Sequence, residues 1–396
     1  MPIYHTLGTV PRKRHTVFRR PDGGLYAEEL MGHEGFVGTS SLLYHTHPPT
    51  TVKSARKVCD VKWVADEETS LRHRHFRTAR SSKGGSATLD RIPLLFNSDI
   101  AMLYVEPDRI DAHFYRNSQA DEVVYVGEGS GVLESVFGDL PYQQGDYIVI
   151  HRNILHRWRL DEGVTQKFVV FESAGHVRWP KRYRNDVGQL LEGAPYSERD
   201  IRRPAGLNTH DERGDFPLLV KQYDAINELI LDHHPFDVVG WDGYFYPWAF
   251  NINDFEPIVG RIHQPPPVHQ TFQGDGFVIC SFCPRPYDFD PNAVPAPYNH
   301  SNVDSDEVLF YASSEFMSRK GIEYGSVTHH PDGLPHGPHP GRAEASIGAK
   351  YTNELAVMMD SFRPLKVAKP AMAFEDASYH QSWVEQQHAA FNPPTS

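Results

Sequence analysis

Three residues in the second half of the chain have the types and spacing of a metal-binding face: His300, Glu307 and His336. Two imidazoles and one carboxylate on paired strands of one barrel can converge on a single ion. That donor set suits Fe(II) and leaves coordination positions open for O2 and a substrate. Glu307 has rivals in Asp304 and Asp306. Strand alternation puts Asp304 and Asp306 on one face and Glu307 on the other, provided the strand has begun by then. The competing reading is a set of hydrogen-bonded barrel residues without a metal.

Other patterns carry less. Cys280-Ser281-Phe282-Cys283 is one C-x-x-C pair without a second, in an apolar run, and reads as buried thiols. His45-Thr46-His47 and His73-Arg74-His75 are H-x-H pairs lacking a carboxylate at strand spacing. His73 and His75 also sit among Arg72, Arg74 and Arg77, which disfavour a cation. Both pairs read as structural. There is no P-loop, dinucleotide glycine fingerprint or G-x-S-x-G elbow.

The elements that must position the three residues follow from an internal echo. Asp121-Glu122-Val123-Val124-Tyr125 recurs as Asp306-Glu307-Val308-Leu309-Phe310. Gly145-Asp146-Tyr147 and His151…His156 follow the first copy, and Gly325-Ser326-Val327 and His330…His336 the second. Each half thus reads as an acidic residue entering a strand, a hairpin, a glycine turn, a strand and a histidine. This order resembles the cupin double motif, so the fold expected is mainly β: a bicupin of two jelly-roll barrels. The first copy keeps Glu122 and His156, but Tyr115 and Arg116 occupy the region of His300. A cation such as Arg116 would repel a metal, so the N-terminal barrel is read as degenerate.

Two domains are expected, 1–235 with the degenerate cupin and a connecting segment, and 236–396 with the catalytic cupin. Residues 180–235 are polar, with a helical-looking piece at Tyr223–Leu231, and 81–86 read as a flexible connection.

The 396 residues carry 39 Lys+Arg against 51 Asp+Glu, a net charge of −12 that argues against nucleic-acid or anionic-membrane partners. No apolar run approaches the ~20 residues needed to span a bilayer. The basic N-terminus (Arg12, Lys13, Arg14) lacks the apolar segment of a signal peptide. Three cysteines are too few for a disulfide framework. A cytoplasmic protein is expected. The 30 glycines and 31 prolines favour short strands and turns, and 23 histidines make a metal or acid/base site worth seeking.

Four stretches in order resemble the homogentisate 1,2-dioxygenase family: 237–243 (DVVGWDG), 297–302 (PYNHSN), 335–338 (PHGP) and 371–375 (AMAFE). The N-terminal stretch 38–44 (GTSSLLY) also looks similar. The resemblance implies iron in the C-terminal cupin, held by His300, Glu307 and His336. It also implies a homo-oligomer, trimer or hexamer, and a small aromatic substrate with O2. It places the acid/base histidine on His263, with His269 a nearby competitor, a histidine near the substrate hydroxyl on His330, and a tyrosine on Tyr298. The reaction implied is extradiol-type opening of homogentisate to maleylacetoacetate.

There are departures. The interval from His300 to Glu307 is one residue longer than in the family, which implies a bulge before Glu307. The family's tyrosine–lysine pair for the substrate carboxylate is not plain: Phe316 falls near the tyrosine, and Arg319 or Lys320 near the lysine. Arg319 can pair a carboxylate bidentately. Rival readings are an iron cupin acting on gentisate or another hydroquinone, a metal-dependent isomerase needing no O2, and a non-catalytic small-molecule-binding bicupin. An intact triad in one half beside its loss in the other speaks against the last.

Overall fold

The computed structural model describes residues 3–81, 83–319 and 321–384. The fold is a mainly β bicupin, and the echo between its halves extends to register. In the first barrel, strand Asp121–Glu128 lies between Asp146–Ile150 and Lys167–Ser173. In the second, Asp306–Tyr311 lies between Ser326–His330 and Ala356–Ser361. Glu122 is opposite Glu172 and Ile150, and Glu307 is opposite Asp360 and His330. Tyr115 pairs with His156 as His300 pairs with His336.

The first barrel sets two seven-stranded sheets around one contiguous apolar core that includes Val123, Val124, Val149, Trp158, Phe168 and Phe171. The central strands Ile100–Val105 and Asp146–Ile150 are buried at every position, which explains their near-continuous apolar sequence.

Strands from either side of 235/236 share sheets. Trp248–Asn251 pairs with Asp146–Ile150, and Val238–Gly243 with Val37–His45. In the other direction, Arg74–Arg77 forms the edge of the second barrel's sheet against Ser326–His330.

Three local expectations are corrected. The piece expected as a helix at Tyr223–Leu231 is the strand Ala225–His233, in a hairpin with Arg213–Gln222. Tyr223 and Asp224 both have positive φ, 57° and 53°, which supplies a tight two-residue turn. The segment 81–86 is tied down rather than loose: Gly84 N–H donates to the Glu106 carbonyl at 2.9 Å, and Gly85 N–H to Asp108 at 2.8 Å. Ser82 lies outside the described residues. The bulge expected before Glu307 is absent, because strand Asp306–Tyr311 pairs without a register shift and 301–305 form a loop that absorbs the extra residue.

Cys280 and Cys283 are free and buried, and burial pushes the Cys283 thiol up to about 12. His45 is locked between Asp237 at 2.7 Å and Glu29 at 3.1 Å. No helix among the described residues is long and apolar enough to cross a membrane.

Candidate metal centre

Glu307 is the second residue of its strand, so it faces opposite to Asp306. Asp306 belongs to a separate network, accepting from His329 Nε2 at 2.9 Å and from the backbone N–H of Leu365 and Asp332. His300 and His336 exchange two backbone hydrogen bonds, at 2.8 and 2.9 Å. That pairing sets both imidazoles on one side, with ring centroids 4.2 Å apart. The next residue must be glycine: a Cβ on Gly337 would meet Asn299 Oδ1 at 2.2 Å and force the pair open.

The Nε2 atoms of His300 and His336 lie 3.6 and 3.4 Å from the two Glu307 carboxylate oxygens. One donor atom from each of the three residues lies within 4.8 Å of the others. The Nδ1 atoms turn to backbone carbonyls instead, His300 to Tyr298 at 3.2 Å and His336 to Leu334 at 3.4 Å. A proton on each Nδ1 leaves the Nε2 lone pairs converging beside Glu307. His336 Nε2 is buried without a hydrogen-bond partner. Burial alone would raise the Glu307 pKa, but the imidazoles of His300, His330 and His336 around it hold it well below the carboxylate range. A deprotonated carboxylate and two imidazole nitrogens, one of them buried without a partner, are what a divalent ion needs.

His300 and Glu307 line a cavity of about 110 Å³, and His336 does not. His263, His269 and Arg319 also line it. His263 presents a buried Nε2 with no partner, while its Nδ1 lies 3.8 Å from Asp288. His269 is buried, and burial holds its pKa down to about 3, which makes it a poor proton acceptor at neutral pH. Arg319 is buried, donates through Nη1 to the Gly337 carbonyl and leaves Nε unpartnered. Phe316 also lines the cavity, and Lys320 lies outside the described residues.

Two expected contacts sit elsewhere. His330 is fully buried and does not line the cavity; opposite Glu307 on the neighbouring strand, it places Nδ1 at 2.8 Å from that carboxylate. Tyr298 is 60% exposed and contributes its backbone carbonyl to His300. Its ring meets His263 edge-on at 5.1 Å.

His73, read as structural from the sequence, packs behind the site. Its Nε2 lies 3.2 Å from the Pro335 carbonyl, and its ring packs edge-on to His330 and His336 at 5.3 and 6.0 Å. Arg72 and Arg74, which flank it, both grip Glu375 and so brace the segment.

The first barrel differs at the corresponding positions. Tyr115 takes the place of His300, its ring 5.5 Å from His156. Arg91, not Arg116, supplies the positive charge, donating to both oxygens of Glu122 at 2.8 and 2.9 Å and to Glu172 at 3.3 Å. Arg116 follows Tyr115 in its strand, so it points to the other face and lines a surface cavity with Glu29 and His33.

A family model described as "Homogentisate 1,2-dioxygenase N-terminal" matches residues 95–252. Over 391 residues (97% of this chain and 99% of the relative) the chain is 40% identical to a Saccharolobus solfataricus protein named "Putative dioxygenase". It is 24% identical over 275 residues to a homogentisate 1,2-dioxygenase of Bradyrhizobium diazoefficiens, and 26% over 293 to one of Nitrobacter hamburgensis. Those matches cover 66% and 69% of this chain, and 60% and 63% of the two relatives. Among solved structures, a cupin 2 conserved barrel domain protein from Leptotrichia buccalis aligns over 73% of this chain and 96% of its own, at 10% identity and a TM-score of 0.33. Matched over nearly its whole length at 40% identity to a putative dioxygenase, and over residues 95–252 by the N-terminal model of the homogentisate 1,2-dioxygenases, the chain belongs to this dioxygenase family.

Proposed function

We propose that the protein is an Fe(II)-dependent dioxygenase that opens the ring of a para-diphenol bearing an acidic side chain, with homogentisate the first choice. The observation that carries this is one unpartnered imidazole nitrogen, a second imidazole and an ionised carboxylate gathered beside a buried, mostly apolar cavity. His300, Glu307 and His336 would hold the metal, which when bound supplies a Lewis acid for the phenolate and a site for O2.

The protein's own groups account for the rest. A free phenol has a pKa of about 10, so a base beside it is useful at neutral pH. His263 Nε2, unpartnered at the cavity, is placed to take the phenolic proton. His330 and His73 act behind the face: one fixes the carboxylate of Glu307, the other the backbone ahead of His336. Arg319, whose Nε has no partner, offers its guanidinium to the substrate's carboxylate. Phe282, Leu309 and Met358 keep water from the ring.

The test is oxygen uptake by protein loaded anaerobically with Fe(II), mixed with homogentisate or gentisate. Stoichiometric uptake with homogentisate, dependent on iron, is expected. His336→Ala should lose both iron and uptake while the fold persists. Bound iron with no uptake from either acid would refute the reaction, and stoichiometric iron in His336→Ala would refute the ligand set.

A further inference from the structure

A second cavity adjoins the metal cavity, and the two share Tyr287, Phe316, Met317 and Arg319. The inner volume is about 110 Å³ and the outer about 410 Å³. Small-molecule sites commonly enclose roughly 300–1,000 Å³. A dry cavity of roughly 150 Å³ takes up benzene. The inner cavity therefore matches a ring without its substituents, whereas the two cavities together fall in the ordinary range. Between them Tyr287 and Met317 meet, the hydroxyl donating to the thioether sulfur at 3.3 Å.

The outer cavity is cationic. Arg319 and Arg342 line it, and Glu315 is the one acid among its described lining residues. Arg342 Nη2 donates to the Arg319 carbonyl at 2.9 Å, which brings the two residues together. Arg319 Nη1 is used by the Gly337 carbonyl. The Nε of each arginine is buried with no acceptor. Buried N–H groups are nearly always satisfied, so two orphans on arginines lining one cavity point to an anion that completes them. A carboxylate, planar and able to accept from two guanidinium groups, has the right chemistry.

We propose that the outer cavity seats the substrate's anionic group. The aromatic ring occupies the inner cavity beside His300 and Glu307, and the carboxylate reaches Arg319 and Arg342 on a side chain longer than one carbon. Arg342 and Met317 then set specificity: the first by charge, the second by standing where the side chain passes. This rests on the ring-opening reading above and extends its substrate class to para-diphenols with longer acidic tails.

The test is anaerobic calorimetric titration of the Fe(II)-loaded protein with 2,5-dihydroxyphenyl acids carrying zero to three carbons between ring and carboxylate. The dissociation constant should fall roughly tenfold or more from the one-carbon acid to the best longer one. Arg342→Met should flatten that dependence on length, and Arg342→Lys should keep part of it. Tightest binding by the one-carbon acid overturns this inference alone, as does an unchanged length dependence in Arg342→Met. Failure of every acid to bind overturns the ring-opening reading along with it.

Discussion

Arg91 should be the most consequential single charge in the first barrel, and Arg91→Met measures it. The side chains of Arg91, Glu122 and Glu172 are 3%, 1% and 2% exposed. Removing the cation leaves Glu122 with Asn117 Nδ2, at 3.0 Å, as its remaining side-chain hydrogen bond, while Glu172 keeps Lys221. Breaking a buried pair on one side costs about 3–5 kcal/mol. The retained Lys221 contact puts the expected loss at the lower end, about 3 kcal/mol. Glu122→Gln alone should also destabilise. In the double variant no uncompensated charge is left at that pair, so the combined loss should fall short of the sum by about 2 kcal/mol. The effect also has a sign with pH. Burial alone would raise the Glu122 pKa, but Arg91 holds it down to about 2, so the pair's contribution is present above the ordinary carboxylate value and fades as pH falls toward 2. The penalty of Arg91→Met should therefore shrink on acidification from pH 6 to 3. Hydrogen exchange suits a chain of two barrels, since it reports each separately. Amides of 121–128 and 167–173 should lose protection, and those of 306–311 and 356–361 should not. A loss under about 1 kcal/mol, equal losses in both barrels, or strict additivity would refute the role given to the guanidinium.

Two further outcomes follow from the same reasoning. His263→Ala should retain iron yet lose roughly 10²–10⁴ in turnover. Undiminished turnover in single-turnover kinetics would remove His263 as the base. His45, buried between two carboxylates, has its pKa raised to about 9; burial opposes the charge, but the hydrogen bonds it donates to Asp237 and Glu29 outweigh it. A raised value means the stabilisation is whole below the ordinary 6.5 and is lost as pH rises through 9, by up to about 3 kcal/mol. Urea unfolding between pH 6 and 10 should show that decline, and His45→Gln should flatten it; a parallel decline in the variant would refute the assignment.

What was legible in the sequence divides along a physical line. His300, Glu307 and His336 could be read because few residue types hold a metal and because the echo with 121–125 fixed their order. Asp306 could be separated from Glu307 by strand alternation alone. The first barrel's cation could not be found the same way: Arg91 precedes Glu122 by a distance that means nothing until two strands pair. Arg116 lies one residue past Tyr115, and in a strand one residue changes the face. The helical reading of Tyr223–Leu231 failed because Ile226, Leu229 and Ile230 fit a helical spacing as well as a half-buried strand. His330 was placed near the substrate by resemblance, but the register that sets it opposite Glu307 sends its nitrogen to the carboxylate.

The exchange of strands has a consequence for biosynthesis. Residues 74–77 leave the ribosome long before their partners at 326–330. The first barrel likewise waits for 248–251 to cover Asp146–Ile150, and for 366–367 to join Ile92–Phe96. Nascent chains therefore carry unpaired β edges until those partners emerge, a state open to wrong pairing and aggregation. Closure of such distant contacts is slow. The second barrel, cut free at residue 236, would lack both its edge strand and the histidine that braces His336. An excised catalytic half should accordingly be insoluble or poor in metal, and co-expression with the first half as a separate chain should repair it.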